Sequence, residues 1–70
     1  MSPRPARLPE AIDLVGRSDV RIIHDGEMWK MVSARITDAI VGEEIILYLR
    51  QGAQIREAHL QPRERVILVD

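Results

Sequence analysis

Cysteine and phenylalanine are absent from these 70 residues, and tryptophan and tyrosine occur once each. Without cysteine there are no disulfides, no thiolate nucleophile and no cysteine-type zinc site. With Trp29 and Tyr48 as the whole aromatic supply, stacking platforms for nucleobases are scarce, and so are the walls of an aromatic cage. No apolar run approaches the ~18 residues that a membrane-spanning helix requires, so no membrane partner is expected. An excess of one charge is also lacking: ten Lys and Arg face eleven Asp and Glu, for a formal net charge of −1. That balance excludes a globally basic nucleic-acid binder and leaves open a local basic face.

What remains is aliphatic and β-branched. Nine Ile and six Val stand against six Leu and six Ala, a supply that favours strands. The length supports one domain. Residues 1–9, with Pro3, Pro5, Pro9, Arg4 and Arg7 and almost nothing to bury, read as a flexible basic arm, followed by a single domain over 10–70. The arm has neither the apolar core of a secretory signal nor a glycine after Met1, so the expected residence is the cytoplasm. Pro9 to Gly16 reads as a short helical turn, with proline and acids at its start and glycine as terminator.

From Val20 the apolar spacing is closer to two than to 3.6. Val20–His24 leads into Asp25-Gly26, a hairpin dipeptide. Met28–Thr37 places Val32, Ala34 and Ile36 on one face and Trp29, Met31, Ser33 and Arg35 on the other. A turn around Val41-Gly42-Glu43 precedes Ile45–Leu49, and Gln51-Gly52 marks the next. In Ala53–Leu60, Ile55 is out of step with Ala58 and Leu60, as a bulge would leave it. Val66–Val69 closes the series. Five short strands with brief turns suit an all-β small barrel, because closure removes unpaired edges.

The stretch from Val20 to Asp70 resembles the five-stranded SH3-like barrel that forms the C-terminal domain of retroviral integrases. The likeness is carried by a first strand ending in an acidic turn, Trp29-Lys30 opening the second strand, Gly42-Glu43 before an apolar third, and a tail running from Leu60 through Pro62-Arg63 to Val69-Asp70. Met31 stands where that family has a glycine after Trp-Lys. The resemblance implies DNA binding with little sequence preference and association between chains. A second likeness is to Sm-like proteins, which build RNA-binding rings; it rests on the short N-terminal helix, the strand ending in Asp25-Gly26, and the strand ending near Asp38.

The expectation is therefore a five-stranded SH3-like barrel preceded by a flexible arm and a helical turn, acting as a noncatalytic, self-associating interaction module. Arg4, Arg7, Lys30, Arg63 and Arg65 are the candidates for weak contact with DNA or RNA, within a wider set that includes Arg35, Arg50 and Arg56. Trp29, Met31 and Tyr48 are the candidates for a protein interface with further copies or another protein. The alternatives are an adaptor docking on a larger enzyme or assembly, and an Sm-like RNA-binding ring. His24 and His59 each lie near acids but lack metal-ligand spacing, and Ser2, Ser18 and Ser33 lack a nucleophile context. No cofactor, metal or small-molecule substrate is expected.

Overall fold

The computed structural model describes residues 2–39 and 42–70. Among the described residues the chain is all-β with a single short helix. In order it forms β1 (Pro3–Arg7), α1 (Leu8–Asp13), β2 (Arg21–His24), β3 (Glu27–Ala39), β4 (Gly42–Gln51), β5 (Gln54–Leu60) and β6 (Arg65–Val69). The six strands make one antiparallel sheet in the order β1-β6-β2-β3-β4-β5. The last strand thus returns to lie beside the first strand of the meander, and β1 covers its outer edge.

That last point corrects the reading of residues 1–9 as an arm. Pro3–Arg7 pairs with Val69–Arg65 along its whole length. Ala6, buried opposite Val66, anchors the strand, while both prolines stay exposed. An edge position tolerates proline because the missing N–H faces no partner.

The helix is shorter than the sequence suggests but lies where expected. Proline stands in its first turn with Glu10, and Leu8 and Ala11 are fully buried. The chain then turns through Gly16, whose φ of +87° suits a residue without a side chain. The Gly16 N–H donates to the Met31 carbonyl at 3.1 Å, which ties the helix exit to the middle of β3.

At that same place β3 breaks register against β4, between Met31 and Ser33. Val32 is the extra, exposed residue of a β-bulge. The bulge resolves the two apolar faces read from Met28–Thr37. Before it, Trp29 and Met31 point into the core; after it, Ala34 and Ile36 take that side, opposite Leu47 and Ile45. The irregularity expected in β5 is absent. Its pairing with β4 is continuous from Gln54 to Leu60, and Ile55 simply points outward. Asp25 and Gly26 have φ of +54° and +80°, the backbone of a tight two-residue hairpin. Of the turn expected around Val41-Gly42-Glu43, Val41 lies outside the described residues, and Gly42 and Glu43 open β4.

Among the described residues, thirteen buried ones form one apolar cluster that runs from Ala6 in β1 to Ala58 in β5. The six-residue helix packs against the β1–β6 end of the sheet's inner face. The outer face is mostly open to solvent, with Ile46 and Val69 buried on it apart from that cluster.

Candidate functional site

Register and alternation decide which side chains share that outer face. Trp29 and Met31, expected at an interface, are each 1% exposed and belong to the core. The bulge at Val32 is the reason: it allows both halves of β3 to bury their apolar side. Arg56, on the inward side of β5, lies over the Trp29 ring at 4.6 Å from its centroid and reaches Asp25 at 3.3 Å. Arg56 therefore closes the core beside the first hairpin and does not face a ligand. Tyr48 does face outward, half-buried, opposite Ser33 and Glu57.

Arg4 is also withdrawn from the candidate contacts. Its guanidinium donates to Glu10 at 2.5 Å and to Asp70 at 3.3 Å, and these two carboxylates hold it more firmly in the charged form. Arg63 stands exposed in the turn before β6, where the Gln61 N–H donates to the Glu64 carboxylate at 2.6 Å.

The other cations come together. Arg7 of β1 sits directly opposite Arg65 of β6. Two strands on, Arg21, Lys30 and Arg50 form a row across β2, β3 and β4. Arg21 and Arg65 lie on the same side of the sheet, separated along β6 by four residues, or about 13 Å. Between the two cationic positions runs an apolar row in direct register: Pro5, Ile67, Ile23 and Met28. Of these, Ile67 is 37% and Met28 51% exposed.

The outward positions of β1, β6, β2 and the start of β3 carry no carboxylate. Among the described residues, Arg7, Arg65, Lys30 and Arg50 make no ion pair, and Arg21 donates to the Ser18 carbonyl. An open groove of about 450 Å³ runs beside this face, lined by Ser18, Asp19, Arg21, Met28, Val69 and Asp70.

The far half of the outer face has the opposite character. His59 in β5 is held between Glu44 and Glu57, each carboxylate 3.1 Å from a different ring nitrogen. Hydrogen bonding first to Glu44 and then to Glu57 raises its pKa above the ordinary histidine value. Since the two carboxylates meet opposite edges of the ring, they do not converge on one point, as metal ligands must. His24 lies 3.7 Å from Asp25 at the other end of the molecule. No group of three or more metal-capable side chains is found among the described residues.

A second open groove, of about 360 Å³, lies at the end of the molecule where β3 and β4 extend past the core. Ile12, Ile36, Ile45, Pro9 and Pro62 wall it, and its charged lining residues are Asp13 and Glu43. Reading the sequence did not bring Arg21 into the cationic set, nor this groove into view. Arg21 could have been found from its alternation with the buried Ile22. The groove depends on how a helix, a hairpin and a turn meet, which periodicity does not show.

Among the described residues no helix is long and apolar enough to cross a membrane. In comparisons with protein-family models, curated proteins and solved structures, the chain matches none.

Proposed function

We propose that this protein is a noncatalytic module that holds the phosphate backbone of a nucleic acid on the cationic part of its outer face. One observation carries the reading: Arg7, Arg65, Arg21, Lys30 and Arg50 share a face whose strand positions there hold no acid, in a chain whose net charge is −1. A segregation of that kind gives a local positive potential that the overall balance conceals. The scarcity of exposed aromatics favours contact with phosphates over stacking on bases, and so binding with little sequence preference. The noncatalytic part of the reading is supported by how the reactive side chains are used. His59, the histidine of this sheet face, is clamped by two glutamates that meet both of its ring nitrogens.

Fluorescence anisotropy with a 20-base-pair duplex and a single strand tests this. Four phosphate contacts give an affinity that falls with salt at a log–log slope of about −3.6 on duplex, with Kd in the range of roughly 1–100 µM near physiological salt. Lys30→Ala and Arg65→Ala each reduce that slope by about 0.9, whereas Arg4→Ala, whose charge is already engaged, leaves it unchanged. Absence of binding at 50 mM salt, or an Arg4→Ala loss equal to that of Lys30→Ala, overturns the assignment.

A further inference from the structure

The two apolar surfaces described above differ in the charges beside them. Met28 is 51% exposed at the end of a row with Ile23 and Ile67; Lys30 and Arg21 flank it on the same face, and of the two carboxylates that line the groove beside it, Asp19 and Asp70, the second is engaged by Arg4. Ile36 is 59% exposed in a groove whose charged lining residues are Asp13 and Glu43. The groove, at about 360 Å³, has room for an aliphatic side chain or two. The two surfaces complement one another: exposed aliphatic groups with Lys30 and Arg21 beside them, and an apolar concavity with Asp13 and Glu43 beside it.

Their placement decides the geometry of any contact. Met28 and Ile36 lie on the same strand, eight residues and about 26 Å apart, and the bulge leaves them on opposite sides of the sheet. One molecule cannot bring them together, and because the contact pairs two different patches that face opposite ways, no two-fold axis passes through it. A contact between such patches is heterologous, and it repeats from copy to copy.

We propose that copies of this chain associate head to tail, with Met28 of one copy seated in the Ile12–Ile36–Ile45 groove of the next, the Ile23–Ile67 row packed against its edge, and Lys30 and Arg21 beside Asp13 and Glu43. The proposal goes beyond the nucleic-acid reading but shares a face with it, so a polyanion and a second copy exclude one another there. A contact this small is a weak one, with Kd on the order of 10–100 µM.

Sedimentation velocity on the full chain from about 10 µM to 1 mM tests it. In 50 mM salt the weight-average mass rises with concentration and passes that of a dimer; in 500 mM salt the rise weakens, as charged rims require. Met28→Asp spoils one surface and Ile36→Asp the other, and both sites are exposed enough for the fold to be retained, which circular dichroism checks. Each variant alone associates at least 10-fold more weakly than the unaltered chain. Mixed in equal amounts, they form a one-to-one pair and no larger species, since each brings one intact surface. Lys30→Glu and Glu43→Lys behave in the same way without touching the apolar groups. Addition of duplex shifts the unaltered chain toward monomers.

A monomer at 1 mM in low salt overturns the proposal. So does a closed dimer indifferent to both variants, or a mixture that fails to pair. If association holds while duplex neither binds nor competes, the nucleic-acid reading fails alone.

Discussion

Trp29 offers the sharpest test of how this core is held. Its ring is almost fully buried, yet its indole N–H has no hydrogen-bond partner. Truncation to alanine removes the largest side chain of the cluster and leaves a cavity, a loss of about 3–5 kcal/mol. A 70-residue domain has only about 4–10 kcal/mol in total, so Trp29→Ala is expected to be largely unfolded or close to it. Trp29→Phe behaves differently. It forfeits part of the ring's packing, but it also removes a buried donor whose desolvation costs about 1–3 kcal/mol, and it keeps a ring beneath Arg56. The two changes offset to within about 1 kcal/mol. Urea unfolding followed by far-UV circular dichroism measures both variants on one scale without relying on tryptophan emission. If Trp29→Phe proves as damaging as Trp29→Ala, the argument about the unpartnered N–H is refuted, and the shape of the indole is what the core requires.

Other expectations follow from local geometry. Arg56→Gln removes the stacking on Trp29 and the contact with Asp25, both partly exposed, and lowers stability by about 0.5–1 kcal/mol in the same urea assay. Gly26→Ala meets no neighbouring atom, so its cost comes from a φ of +80° alone, about 1–2 kcal/mol by thermal unfolding; a loss near zero refutes the tight-turn assignment. His59 titrates above the ordinary value of about 6.5, and NMR shows its pKa falling in Glu44→Gln and in Glu57→Gln. Because its folded pKa is raised, the stabilisation from this clamp is fully present below about pH 6.5 and is lost as pH rises through the raised value. An increase in that contribution on going to alkaline pH contradicts the clamp.

Much of this fold could be read from residue order because the turns announce themselves. Asp25-Gly26 and Gln51-Gly52 separate runs whose alternation fixes their inward side, and Pro9 and Gly16 mark the first turn and the exit of the helix. The first strand was hidden because Pro3–Arg7 presents one buried alanine, and pairing on an edge asks little of side chains. The bulge was hidden for another reason. Alternation assumes one residue per step, so a single extra residue at Val32 makes Trp29 and Ala34 seem to oppose each other when both serve the core. The same slip produced the expected Trp29-Met31 interface. The cationic face required knowing that Arg21, Lys30 and Arg50 meet across three strands, which is a fact of pairing and not of order along the chain.

The pairing of β1 with β6 has a consequence for connectivity. Pro3 stands opposite Val69, so the two ends of the described chain lie within about 5 Å of each other in backbone terms. A few glycines can join them, and the exposed Gly52-Ala53 turn can then be opened instead, leaving every strand pair in place. In such a permutant β5 would lead the chain and β4 would end it. With the ends joined the chain becomes a circle, and where that circle is cut is a matter of synthesis order, while the strand pairs stay the same.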